Sequence, residues 1–476
     1  MSTPIGANQV ALDASTVARV TGGIPVRATE GRVARGVTTD SRAVVPGGAF
    51  VALQGETHDG HDFLQSAIAS GAALLVVARG RAPADAAADV VEVDDTLRAW
   101  GDIARDHLMT WRAADPARRV LGITGSAGKT TTKEMCAALL ASVAGCHATA
   151  GNLNNRVGLP AVVLQLESVH RYAVLEMGMN LPGEIAALGY IAAPDVGVIV
   201  NIGMAHAGGV GGTLEDVARE KGALFESVRT GGVLVANADD PAVMGRAARV
   251  SKVTCVTFGR SQGAGVRLVA REATGSTGSH VVVERAGRLA SFSIPIAGEA
   301  ASMDFVAALA ASEAAAGPLD DGCIRRALEA LRPIPGRMQV RHVADFDVVD
   351  DAYNANPASM RAALGALSEM PAGRRVAVLG EMKELGRVAV EAHEALADAV
   401  VQAGVGLLIS CGGMADVIGH AAAKRGVEVV FGGDTRGAAR AVGQRVRAGD
   451  VVLVKASRSV GAEHVVDELI RRGGGN

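Results

Sequence analysis

Short runs of valine, isoleucine and leucine, each closing on a glycine or polar turn, recur along this chain and set its fold class. They include ALLVVAR (73–79), RRVLGIT (118–124), YAVLEMG (172–178), VGVIVNIG (196–203), GGVLVANAD (231–239), RRVAVLGE (374–381), GLLISCGG (406–413) and DVVLVKAS (450–457). Continuous rather than alternating apolar runs are what strands buried on both faces require. Alanine-rich segments of helical period separate them, so the pattern predicts α/β layers with right-handed crossovers. From 253 to 296 the runs alternate instead, as in HVVVER and ASFSIPI, which predicts an antiparallel excursion at a sheet edge.

With 476 residues the chain is too long for one core. Two polar, proline-bearing segments suggest boundaries and hinges: WRAADPARR (111–119) near Trp111, and LRPIPGRMQV (331–340) near Pro335, followed by a fresh strand at 346–349. Three α/β domains are expected, at 1–114, 115–333 and 334–476. A formal net charge of −3 gives no basic field for nucleic acid, and 3% aromatic residues are too few for base-stacking platforms. The five cysteines form no C-x-x-C pair and read as reduced, mostly buried thiols. No signal peptide or membrane span is recognised, so a cytoplasmic protein is expected, working as a monomer.

The stretch LGITGSAGKTTTKE (121–134) almost matches a Walker A loop, but the first glycine is misplaced: Gly125 stands too close to Gly128 and Gly122 too far. A strand before it and an apolar-periodic helix after it supply the context of a phosphate loop. Backbone N–H groups and the helix N-terminus face phosphate, Lys129 reaches the β/γ oxygens, and the Thr130 hydroxyl is placed for Mg²⁺. Downstream, Glu176 ends one strand run, His206 follows another, and Lys221 sits in a helical segment. Singly they read as a surface acid, a turn histidine and a solvated lysine; together, after a phosphate loop, they point to a hard-cation site.

The variant loop T-G-S-x-G-K-T-T resembles that of the Mur ligase superfamily, whose members join an amino acid or peptide to a carboxylate at the expense of ATP; folylpolyglutamate synthetases share it. The resemblance implies that Gly125, Ser126, Ala127, Gly128, Lys129, Thr130 and Thr131 bind ATP, with Arg337 and Asp351 of the third domain. It implies two Mg²⁺ ions, one at Thr130 and a second held by Glu176 and His206, and carbamylation of Lys221. Asn154 and Asn155 in GNLNNRVGLP (151–160) match a substrate-side segment, with Arg156 where relatives carry an acid. VTTDSRAVVPGGAFVALQGETHDGHDF (37–63) resembles a small UDP-binding N-terminal domain, with Asp40, Ser41 and Arg42 toward substrate. DDAYNANPASM (350–360) and VLGEMKELG (378–386) resemble the branch that adds D-alanyl-D-alanine to a UDP-N-acetylmuramoyl-tripeptide, placing Asn354, Asn356 and Ser359 near the reaction centre. Lys455, Ser457 and Arg458 suit anion contacts.

The implied architecture is a central P-loop-type, mostly parallel sheet between that N-terminal domain and a Rossmann-like C-terminal one. In AGEAASMDF the family's adenine-contacting His-Asn and later Asn are replaced by Ala300, Ala301 and Asp304, so adenine is held by backbone or by Asp304 as acceptor. Another ligase of the superfamily, a P-loop NTPase or kinase, and a non-catalytic scaffold stay open. So does the third residue of the tripeptide, diaminopimelate or lysine.

Overall fold

A computed structural model describes residues 6–55 and 58–474. Residues 56–57 of the N-terminal motif, the first five residues and the last two of the glycine-rich tail lie outside the described residues. The chain divides into two compact units.

The first unit comprises Met1–Gly122, Ala144–Gly178 and Gly183–Asp195. Its five-stranded sheet runs in the order Ile24–Arg27, Asp89–Val93, Leu74–Ala78, Ala49–Val51, Val37–Thr38. Only the edge strand Ile24–Arg27 is antiparallel to its neighbour. The strands Cys146–Ala148 and Tyr172–Glu176 pair in parallel.

The segment read as a polar linker at 111–119 is instead packed. Trp111 and Arg112 end the helix Thr96–Ala113, and the Trp111 indole donates to the Glu167 carbonyl at 2.9 Å. The buried Arg112 donates to the Ala193 carbonyl at 2.9 Å and to Asp195 at 3.1 Å, and Arg118 donates to the carbonyls of Trp111 and Ser168. Buried cations persist where carboxylate and carbonyl oxygens replace their water. A hinge at Trp111 is therefore corrected to a fixed joint. Arg112→Ala removes the cation from Asp195 Oδ2, which keeps the Val120 amide at 2.8 Å, and is expected to cost about 1.5–3 kcal/mol, read as a lower denaturation midpoint in urea.

The second unit comprises Ile123–Val143, Met179–Pro182 and Val196–Asn476. The strands Val196–Ile199, Val233–Asn237, Thr254–Gly259 and Val266–Ala273 pair in parallel. The antiparallel excursion begins later than its sequence suggests: Thr254–Gly259 still runs parallel, and only Val266–Ala273, Ser279–Arg285 and Arg288–Ile294 form the meander.

A six-stranded sheet follows, in the order Gln339–Val343, Phe346–Asp350, Asp450–Lys455, Arg374–Gly380, Val405–Cys411, Glu428–Phe431. Its first pair is an antiparallel hairpin, so the domain starts one strand before the expected run at 346–349. Side chains alternate across this sheet: Ala377, Leu379, Val451 and Leu453 enter one core, and Val376, Val378, Val452 and Val454 the other. Both faces are covered, at ~1.5–3 kcal/mol for each fully buried aliphatic side chain, which is why these runs carry no polar alternation.

Of the five free cysteines, Cys136 and Cys411 are buried and Cys255 is exposed, fewer buried than expected.

Candidate active site

Three features shape the phosphate loop. The strand Arg119–Thr124 delivers it, Gly128 turns through φ +80°, and the helix Lys129–Ala141 begins at once. A left-handed turn there needs glycine, and a β-carbon on Gly128 would strike the carboxyl of Asp304.

Asn201, just past the strand Val196–Ile199, clasps the loop. Its Oδ1 accepts from the amides of Ser126 (3.1 Å) and Ala127 (2.9 Å), and its Nδ2 donates to the Ala127 carbonyl at 3.1 Å. Ser126 Oγ donates to the Gly203 carbonyl and accepts from its amide. The amides of Ser126 and Ala127 are thus taken up by Asn201, within the loop expected to bind ATP. The helix Lys129–Ala141 starts at this loop, and the N–H groups of a helix's first turn have no acceptor one turn back within it, the usual donor set for a phosphate. Asn201 and Gly203 were missed from sequence; the polar N-x-G after an apolar strand was the available signal.

Lys129 Nζ and Lys221 Nζ both donate to the Gly125 carbonyl, at 2.8 Å and 3.1 Å. Lys221 comes from the helix Leu214–Glu226 and is 1% exposed. Burial, then the charge of Lys129, drives its ammonium well below the usual lysine range. A neutral amine is the form that adds CO₂, so this environment suits the carbamate.

The 334–476 segment reaches the same loop. Arg337 Nη2 donates to Thr130 Oγ1 at 3.1 Å, and Asn356 Nδ2 donates to the Ser126 carbonyl at 3.1 Å. Arg337 and Arg458 lie over the Tyr353 ring at 4.2 and 5.2 Å. Asp351 accepts from the Met338 amide at 3.1 Å and from Lys455 Nζ at 2.5 Å. Burial lowers the Lys455 pKa while Asp351 opposes that shift. Asn356 and Ser359 form a reciprocal capping box on the helix Pro357–Ser368, and Asn354 Oδ1 accepts from Ala355 N. Ser457 Oγ accepts from the Lys383 amide.

His206 turns through φ +61° before a short helix, and its Nδ1 lies against the carboxylate of Glu384. That contact lowers the Glu384 pKa.

Asp304, weighed above as an adenine acceptor, packs under the loop instead. Burial pushes its carboxyl up to about 8, against the lowering pull of Thr132 and Arg337. The sign follows: below pH ~4 both folded and unfolded forms are protonated, and above it only the unfolded carboxyl ionises freely, until the folded group does so near 8. Asp304→Asn is therefore expected to leave stability unchanged at pH 4 and to raise it by a few kcal/mol, on the order of 2–4, at pH 8. Thermal midpoints across that range check it.

In the first unit, Glu176 ends its strand 2% exposed. Asn154 Nδ2 donates to Oε1 at 2.7 Å, while Oε2 is buried without a hydrogen-bond partner among the described residues. An orphaned buried carboxylate oxygen fits a cation ligand. Asn155 Oδ1 instead accepts from the amides of Val157 and Gly158, shaping the turn before the helix Gly158–Val163, and Arg156 is half-buried. Asp40 caps the short turn Ser41–Ala43 and pairs with Arg42 at 2.7 Å, which lowers its pKa. In the D-G-H-D-F motif, His61 Nε2 accepts from the Ala78 amide and Nδ1 pairs with Asp59. That arrangement staples the sheet. Among the described residues no three of His, Cys, Asp and Glu group to hold a metal ion.

Three family models match successive stretches: the Mur ligase catalytic domain over 33–107, the Mur ligase middle domain over 123–312 and the Mur ligase glutamate ligase domain over 336–458. The chain belongs to the Mur ligase family. An Escherichia coli member, UDP-N-acetylmuramoyl-tripeptide–D-alanyl-D-alanine ligase, is 34% identical over 442 residues, covering 92% of this chain and 94% of that protein. The Mycobacterium leprae ligase of the same description is 35% identical, covering 96% and 98%. The crystal structure of MurF from Acinetobacter baumannii superposes with a TM-score of 0.87 at 27% identity, covering 97% and 99%. The MurF ligase from Thermotoga maritima, solved with ADP, gives 0.81 at 29%, covering 92% and 97%. This Mur ligase thus has the expected multi-domain α/β fold with mostly parallel sheets.

Proposed function

We propose that this Mur ligase joins D-alanyl-D-alanine to the terminal carboxylate of UDP-N-acetylmuramoyl-tripeptide, converting ATP to ADP and phosphate. The observation that carries it is a phosphate loop reached by Lys129 and Lys221 on one side and by Arg337 and Asn356 of the DDAYNANP-bearing segment on the other. Full-length relatives described as that ligase support the step.

A tripeptide carboxylate oxygen attacks the γ-phosphorus of ATP and ADP leaves, giving an acyl phosphate. The dipeptide amine then attacks the acyl carbon, loses a proton, and expels phosphate as the amide forms. Two anions must meet in the first step, so cationic groups decide its rate. Lys129 neutralises the γ-phosphoryl oxygens, and the first-turn amides hold the phosphates. Arg337 brings its charge beside Thr130. Two Mg²⁺ ions, for which Thr130, Glu176, His206 and carbamylated Lys221 would be the ligands, supply further charge neutralisation when bound. Asp351 serves the ATP side, Asn154, Asn354 and the Asp40–Arg42 segment the peptide and UDP side; Asn155 and Ser359 act by shaping their turns.

The division at 1–114, 115–333 and 334–476 is supported by three family matches that fall one within each span. The enzyme acts as a cytoplasmic monomer; no helix among the described residues is long and apolar enough to cross a membrane.

Phosphate release from ATP and Mg²⁺ tests this, with each substrate alone and both together and product mass read in parallel. Release that needs both, with a product heavier by one dipeptide less water, is expected. Release without the muramoyl acceptor and with no amide would defeat the assignment in favour of an NTPase.

A further inference from the structure

The Glu384 turn does more than pack. His206 and Glu384 are both non-glycine residues in the left-handed region, at φ +61° and +66°, and they face one another. Such conformations cost about 1–3 kcal/mol each and persist where surrounding contacts fix them. Here the contacts are visible. The Gly208 amide donates to the Glu384 carbonyl at 3.2 Å, and a β-carbon on Gly208 would press that oxygen at 3.3 Å and the Gly386 amide nitrogen at 3.4 Å. Glycine lets the two backbones meet.

The Glu384 side of the contact is anchored from behind. The Met382 amide donates to His393 Nε2 at 2.9 Å, and His393 Nδ1 donates in turn to the Ala389 carbonyl at 2.6 Å. The Lys383 amide is held by Ser457 Oγ at 2.8 Å, and Lys383 Nζ pairs with Glu381 at 2.7 Å. Glu384 is thus presented on a rigid platform, its carboxylate in close ion-pair contact with Nδ1 of His206, outside hydrogen-bond alignment. A carboxylate at Nδ1 keeps the proton there and leaves the lone pair on Nε2, the arrangement in which a histidine ring is oriented toward a metal. Among the described residues His206 Nε2 makes no hydrogen bond.

We propose that Glu384 is a positioning residue that fixes the tautomer and aim of His206, so that this ligand becomes ready only when the turn at 381–386 is seated on the loop at 203–212. The inference rests on the reading of His206 as a magnesium ligand. It would make seating of the C-terminal segment a condition for metal capture, ahead of phosphoryl transfer.

Two readouts test it in the full-length chain. Hydrogen exchange is followed without nucleotide or metal in the parent, Glu384→Ala and Glu384→Gln. Expected is at least tenfold faster exchange at amides 204–212 in Glu384→Ala, with the helix Lys129–Ala141 unchanged and Glu384→Gln intermediate. In turnover, the Mg²⁺ concentration for half-maximal rate should rise ~10–100-fold in Glu384→Ala, the usual effect of removing a carboxylate behind a metal-binding histidine, with Glu384→Gln again intermediate. Unchanged exchange would overturn the proposal. So would a freed loop with an unchanged magnesium requirement, which reduces Glu384 to a packing contact. A parent that releases phosphate without making amide would sink the ligase reading instead, and the exchange comparison would still stand.

Discussion

Lys129→Ala is expected to lower kcat/KM for ATP by about 10³-fold while leaving the fold intact, because the loss falls on the transition state rather than on the core. The side chain is half-buried, and its hydrogen bond to the Gly125 carbonyl is not what shapes the loop; Asn201 does that. What disappears is a cation beside a phosphoryl group passing between two anions. Loss concentrated in kcat, with ATP still bound, would agree with charge developing on the equatorial oxygens. The check is amide formation by product mass, beside a thermal midpoint within a few degrees of the parent. A loss smaller than tenfold would mean that Lys129 is ordinary surface charge at a glycine turn.

Lys221→Arg should be nearly as damaging, by ~10²–10³-fold in kcat, although both are basic side chains. If Lys221 served as a cation, arginine would retain much of the activity. The structure argues otherwise. The group is buried, shares one carbonyl with Lys129, and is held below the usual lysine range by burial and that neighbour. Neutral, it has a lone pair with which to add CO₂; an arginine guanidinium stays protonated and does not. Removing dissolved CO₂ and bicarbonate should slow the parent reversibly and leave Lys221→Arg at its residual rate. Intact mass under native conditions should show the added carboxyl group on the parent alone. Lys221→Arg retaining half the parental rate would exclude the carbamate.

The sheets were legible because their strands are covered on both faces, so burial writes itself as unbroken Val, Ile and Leu runs such as VAVLG and VVLVK. The phosphate loop was legible for another reason: a left-handed turn needs Gly128 and phosphate needs a lysine, two demands that leave letters at fixed spacing. What escaped reading was polarity turned inward. Arg112 and Arg118 look like a solvated linker until Asp195 and a set of carbonyls appear around them. Asn201 clasps the loop with its side chain and its carbonyl from just past a strand far away in sequence, which no period announces. Asn155 and Ser359 matched motifs, yet their hydrogen bonds go to turn and helix capping, roles a motif does not separate from substrate contact.

The Asn201 clasp also bears on how ATP binding should depend on temperature. Ordering a free backbone costs about 1–2 kcal/mol per residue in entropy, and a loop assembled around its ligand carries that cost into every binding event. Here the bonds that shape Ser126 and Ala127 lie within the protein, so the disordering they prevent belongs to folding. Removing the side-chain part of the clasp with Asn201→Ala would return some of that cost to the nucleotide, and the binding entropy measured by calorimetry would become more unfavourable even where affinity changed little.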